Sequence, residues 1–224
     1  MRNPILVAAL ILLSACGPAD EQSKVFSSVT DVDLPVSQGA REPSMFHIGS
    51  GRILASWTEL ADNGYAVRTA IGNDKGWSSP VTVIETDRLF VNWADYPSVA
   101  AFNDGTMAVH WLIENGSSSF GYNVNVALSS GKGRSWRAPI VPHSDRSKQQ
   151  HGFVTLLPTK QNRLMAVWLD GRAYETDGNV SKSETFTNAM QLRTTTIGSD
   201  GSLSEDALLD IRTCSCCQTA AAIT

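Results

Sequence analysis

The sequence predicts an all-β fold: a β-propeller of four-stranded blades, present as an N-terminal fragment with three blades and the first strand of a fourth. Two observations predict it. The apolar positions alternate with period two, in stretches rich in β-branched and aromatic residues and broken by Gly, Asn and Asp, and no long helical pattern appears. The chain also repeats. "PSMFHIGSGRILASWTE" from Pro43, "PSVAAFNDGTMAVHWLI" from Pro97 and "GFVTLLPTKQNRLMAVWLD" from Gly152 each give an apolar strand, a polar turn and a second strand reaching a Trp. A repeat of about fifty residues with roughly four strands is the pattern of a propeller blade. A non-repeating β-sandwich is the competing architecture, but it does not explain why the landmarks recur in one order.

The elements follow in order. Residues 1–16 combine a basic start, an apolar run from Ile5 to Leu13 and small residues before Cys16, as a signal peptide does; the run is too short to span a membrane as a helix. "LSAC" resembles the lipobox of bacterial lipoproteins, which implies lipidation at Cys16; an ordinary secretory signal is the alternative. In a Gram-negative source, Gly17 in place of Asp implies delivery to the outer membrane, facing the periplasm or exterior. Residues 17–40 read as a polar tether and lead-in strand. Residues 41–224 form the partial propeller, with blades at about 41–94, 95–149 and 150–211 and the start of the next at 212–224. Each second strand ends near Trp57, Trp111 or Trp168 and is followed by a third strand, "YAVRTAI", "YNVNVAL" or "AMQLRTTTI". "CQTAAAIT" aligns with the first strands, so the expectation is a longer protein, or assembly with another chain, to close the ring. A net charge of −4 with no basic run argues against a nucleic-acid partner.

"SSGKGRSW", Ser129 to Trp136, resembles the Asp-box of the sialidase-like propellers, Ser-x-Asp-x-Gly-x-Thr-Trp, with Gly131 at the Asp position and Ser135 at the Thr position. "IGNDKGW", Ile71 to Trp77, is a more degenerate copy. The box marks a turn between outer strands and no catalytic group. The resemblance implies ligand binding on one face near the axis, where the innermost strands begin. The repeat register puts Arg41 and Glu42, Asp95 and Tyr96, Gln150 and His151, and Cys216 and Cys217 there.

"AREPSMF" resembles the Arg-Ile-Pro motif of sialidases, so Arg41 matches an arginine that binds the substrate carboxylate, a task suited to its planar fork. Glu42 stands where that motif is apolar. On the same resemblance Asp95 is the candidate acid, Tyr96 a substrate contact, and Asp170 and Arg172 in "WLDGR" further substrate-binding candidates; a turn stapled by a local ion pair is the alternative for the last two. The Tyr–Glu nucleophile pair is not identifiable.

"CSCC" offers two readings. Cys214, Cys216 and Cys217 with His151 would form a soft site for copper or zinc. A disulfide among them is the other reading, and an exported compartment favours it. His47, His110 and His143 lack ligand spacing. Two functions are therefore expected: an envelope glycan-active or glycan-binding propeller, of the exo-sialidase glycoside hydrolase type and requiring no cofactor, or a non-catalytic propeller that binds a partner or a metal through its axial face.

Overall fold

A computed structural model describes residues 28–116, 120–129, 133–174 and 189–223. The leader, Cys16, residues 17–27 of the tether and lead-in, and residues 130–132 of the Asp-box-like stretch lie outside them. The compact unit is Asp33–Thr224. Its regular structure, among the described residues, is strand only.

The first sheet contains β1 (Arg41–His47), β2 (Ile53–Ala61), β3 (Gly64–Asn73), β4 (Gly76–Trp77) and β5 (Val81–Thr86), with β4 and β5 both on β3. The second contains β6 (Val99–Ala101), β7 (Met107–Glu114) and β8 (Tyr122–Ser129). The third runs β9 (His151–Pro158), β10 (Arg163–Asp170), β11 (Gln191–Gly198) and β12 (Ala207–Asp210). Every strand pairing is antiparallel, and all but β3 with β5 join strands consecutive in the chain, as short connections dictate.

The middle sheet falls one strand short of the four-stranded expectation. Its outer position is a single bridge, in which Val126 and Ile140 exchange N–H···O bonds of 2.9 Å in both directions. Pro139 and Pro142 flank Ile140. Pro142 stands where it would pair with Val124 and has no N–H to give, so the ladder stops on that side; on the other, Arg137 N–H donates to Leu128 O at 2.9 Å.

The sheets stack in chain order, with β1 beside β6 and β6 beside β9. Side-chain bonds stitch these first strands together: Ser98 Oγ donates to Val154 O at 2.7 Å, and Thr155 Oγ1 to Thr219 O at 2.7 Å. Thr219 Oγ1 in turn donates to Phe153 O at 2.6 Å, so the segment around Thr219 runs alongside β9.

The core fills the two spaces between sheets. On β7, Met107, Val109 and Trp111 pack with Leu54 and Val67 of the first sheet, while Ala108 and Leu112 pack with Val154, Leu164 and Trp168 of the third. Successive strand residues point to opposite faces. A strand covered on both faces must therefore be apolar throughout, which is why "MAVHWLI" shows no polar alternation.

The three repeated tryptophans differ in one respect. Trp57 Nε1 donates to Glu59 at 2.9 Å and Trp168 Nε1 to Asp170 at 2.8 Å, in both cases a carboxylate two residues on and on the same strand face. At the same position beyond Trp111 stands Ile113, and the buried Trp111 Nε1 has no partner. Replacing each by Phe removes similar volume but different bonds. Trp57→Phe is expected to cost about 1–2 kcal/mol more than Trp111→Phe, since only the former breaks a hydrogen bond to a charged group. Urea unfolding of the two variants checks it; equal losses would show that the indole bond contributes nothing.

Candidate functional site

Antiparallel pairing places the start of β9 and the end of β10 at one end of the third sheet, with His151 opposite Asp170. Gln191 at the start of β11 pairs with Asp170 from the other side. A buried charged network grows from this row. Asp170, fully buried, accepts from Trp168 Nε1, from Arg172 Nε at 2.8 Å and from Arg172 Nη2 at 2.7 Å. Arg172 reaches on to Asp206 at 3.2 Å, and Arg193 grips Asp206 at 2.7 Å. Ser144 N–H adds a bond of 2.6 Å to the same carboxylate.

His151 is fully buried, with Nδ1 3.2 Å from Tyr122 O and Nε2 2.9 Å from Asp145 Oδ2. Both ring nitrogens thus face oxygen atoms. His143 stacks on it, ring centres 4.0 Å apart and planes within 2°. Burial first, then the neighbouring His151, pushes His143 down to about 4. Neutral His143 donates Nδ1–H to Asp145 O at 2.8 Å. Burial opposes ionisation of Asp145, Asp170 and Asp206, yet their hydrogen bonds and ion pairs win, and all three are held below the usual carboxylate range.

The other strand-start pairs lie apart from this network. Arg41 is exposed, with its guanidinium 5.9 Å from the centre of the Tyr65 ring. Glu42 Oε2 accepts from Thr58 Oγ1 at 2.7 Å. Asp95 is buried; its Oδ2 accepts from Phe153 N–H at 2.7 Å, while Oδ1 has no hydrogen-bond partner. Glu42, Asp95 and Tyr96 line one small cavity with Thr58, Phe90 and His110.

Beside that cavity opens a cleft of about 480 Å³. Its aromatic walls are Phe90, Trp93, Phe120, Tyr122, Phe153 and Tyr174, with the amides of Asn92, Gln149 and Gln150 between them. Trp93 stands 88% exposed, and Phe90 stacks on Tyr122 with ring centres 3.9 Å apart. Gln150 Nε2 donates to Ser215 O at 3.3 Å, which brings Cys216 to the rim. The register therefore gathers Gln150 and Cys216 at one cleft and Glu42, Asp95 and Tyr96 at the cavity next to it. Asp170, Arg172 and His151 belong to the network behind.

Cys214 and Cys217 form a disulfide, with Cα atoms 5.8 Å apart, and Cys216 keeps a free, exposed thiol. Among the described residues, two sets bring ligand-type atoms within 4.8 Å of one another: the three cysteines, and Asp145 with His151 and Asp170. In the first, two sulfurs are already bonded to each other. In the second, Arg172 and the Trp168 indole hold Asp170. His151 and the cysteines, joined in one metal site by the sequence reading, fall in separate sets.

Sequence reasoning missed Trp93, Phe120, Asn92, Asp145 and Asp206, and set His143 aside for want of ligand spacing. All lie between strands, where period-two alternation says nothing about which way a side chain points.

No family model matches the chain, and no curated protein does. Solved structures that resemble it include a protein of unknown function from Dyadobacter fermentans (15% identity, TM-score 0.49, covering 75% of this chain and 41% of that one). A GH93 α-L-arabinofuranosidase of Fusarium graminearum in complex with arabinobiose is similar at 15% identity and TM-score 0.47, over 75% of this chain and 48% of that one. An endo-arabinase from Bacteroides thetaiotaomicron is similar at 12% identity and TM-score 0.47, over 81% of this chain and 59% of that one. The chain thus spans between 41% and 59% of the length of these three.

Proposed function

We propose that this chain is part of a cell-envelope β-propeller that holds a saccharide in the aromatic cleft beside Trp93. The observation that carries the reading is the lining itself, flat rings with side-chain amides between them. A sugar ring offers C–H faces that stack on aromatic carbon and hydroxyls that need both donors and acceptors; an amide supplies both. Trp93 at 88% exposure has no packing role to account for it. Three sheets stacked in chain order, with a further segment against β9, support the propeller, and the basic-apolar leader ending at Cys16 supports export and lipid attachment.

Hydrolysis of the exo-sialidase type is the activity implied by the resemblance at Arg41, and it predicts a preference for a carboxylate-bearing sugar. Titration of the exported protein with lactose and with sialyllactose, followed by tryptophan fluorescence, tests both levels. Saturable binding is expected, weakened at least about tenfold in Trp93→Ala, roughly 1.4 kcal/mol, at unchanged melting temperature. Arg41→Ala is expected to weaken sialyllactose alone. Failure to bind either sugar, or indifference to Trp93→Ala, would sink the reading. Release of a chromophore from a sialoside separates an enzyme from a binding protein.

A further inference from the structure

We propose that Cys214, Cys216 and Cys217 form a thiol–disulfide exchange site at the rim of the aromatic cleft, with Cys216 as the attacking thiol and Cys214 as its target. This chemistry is independent of what the cleft binds. The Cys214–Cys217 disulfide closes a small ring, and the free cysteine, Cys216, lies inside that ring. Cys216 Sγ is 3.6 Å from Cys214 Sγ, in van der Waals contact, and the three sulfurs all lie within 4.8 Å of one another. A thiol and a disulfide exchange when the thiolate reaches a disulfide sulfur and the site is accessible. All three cysteines are exposed, so both conditions hold where the residues already stand.

The backbone leaves this segment room to change partners. The last strand, β12, ends at Asp210, and the cysteine turn is tied at its two ends. Thr213 N–H donates to Met190 O at 2.8 Å, and Thr219 Oγ1 donates to Phe153 O at 2.6 Å. Between these ties, Gln150 Nε2 makes a long bond of 3.3 Å to Ser215 O. An exchange therefore rearranges one exposed turn and leaves the strands as they are. Spacing selects the target. Adjacent Cα atoms are held about 3.8 Å apart, closer than the roughly 4.4–6.8 Å that a disulfide prefers, which disfavours attack on Cys217. Cys214 is two positions from Cys216, a separation that a bend can bring into the preferred range.

In the step, Cys216 gives its thiol proton to water and its thiolate attacks Cys214 Sγ. A Cys214–Cys216 bond forms as the Cys214–Cys217 bond breaks. The electron pair leaves on Cys217 Sγ, which takes a proton from water. One thiol and one disulfide stand on each side of the step, so it needs neither oxidant nor reductant. Its result is a displaced thiol. The free sulfur passes from Cys216, which lines the cleft, to Cys217, next to the residues that bond β9 through Val154 O and Phe153 O.

The test is thiol mapping of the exported, unreduced protein. Dilute protein is incubated under mildly alkaline conditions, quenched in acid and labelled with N-ethylmaleimide, and the tryptic peptide that begins at Thr213 is fragmented in a mass spectrometer. One maleimide per peptide is expected, shared between Cys216 and Cys217, with at least about a tenth of it on Cys217. Two variants fix the end states. Cys216→Ser, which lacks the attacking thiol, is expected to keep the Cys214–Cys217 bond and take no label. Cys217→Ser is expected to hold the exchanged Cys214–Cys216 bond and also take none. A wild-type label confined to Cys216 overturns the proposal, and so does a label on Cys214 or on all three cysteines. Two labelled thiols in Cys217→Ser, or any label in Cys216→Ser, overturn it equally.

Discussion

Asp170→Ala is expected to destabilise the protein by about 3–5 kcal/mol, the largest single-site effect in the molecule, because it strands buried charge. The carboxylate is fully buried and satisfies the Trp168 indole and the Nε–Nη2 edge of the Arg172 guanidinium. Without it, Arg172 keeps Asp206, which Arg193 already engages, and a 3.4 Å bond to Ser144 Oγ. The double variant Asp170→Ala, Arg172→Met is expected to recover part of the loss, since removing both charges removes the desolvation debt. Full additivity of the two losses in chemical denaturation would show that the pair does not act as a unit.

The same network sets the acid response, in two stages. Folded His143 lies at about 4 against an ordinary 6.5, so the unfolded chain takes up this proton first. Stability then falls as pH drops from about 6.5 towards 4, by up to about 1.4 kcal/mol per pH unit. Asp145, Asp170 and Asp206 lie below their ordinary 3.8 when folded, so their stabilisation is complete above that value and is lost as pH falls below it. His143→Gln is expected to flatten the upper stage and leave the lower one.

The sheets were legible because each repeats an order of landmarks that local physics enforces. An apolar strand, a turn and a second strand bearing Trp57, Trp111 or Trp168 read as a meander, and β2, β7 and β10 hold those residues. The proline that stops the outer strand of the middle sheet was also in view, at position 142. The site was legible only where it falls on the repeat register: Gln150, Cys216, Glu42, Asp95 and Tyr96. The network was not. Ser144 and Asp206 meet across 62 residues of chain, and no periodicity links two loops. Glu42 read as a flaw in an arginine motif, because its positive φ and its bond from Thr58 are encoded by no residue pattern.

Gly152→Ala is the second large effect expected, about 1–3 kcal/mol, and it ties the third sheet to the buried Asp95. A methyl there would overlap Asp95 Oδ2, come within 2.7 Å of the Tyr122 ring and press on Leu112 at 3.2 Å. None of the three can yield easily: Asp95 is held by Phe153 N–H, and Tyr122 and Leu112 are core residues. The neighbouring Phe153, at φ of +55°, turns the N–H that Asp95 accepts. Glycine is therefore required so that one strand can receive a carboxylate sent from the preceding blade-like sheet. If that is its role, the methyl displaces Asp95 and must also shift the Phe153 amide-proton resonance, whereas an equally destabilising cut in the other core space, such as Leu54→Ala, must not. A Gly152→Ala protein as stable as wild type, or one that is destabilised with the Phe153 amide unmoved, would show that Asp95 is held by something other than this close approach.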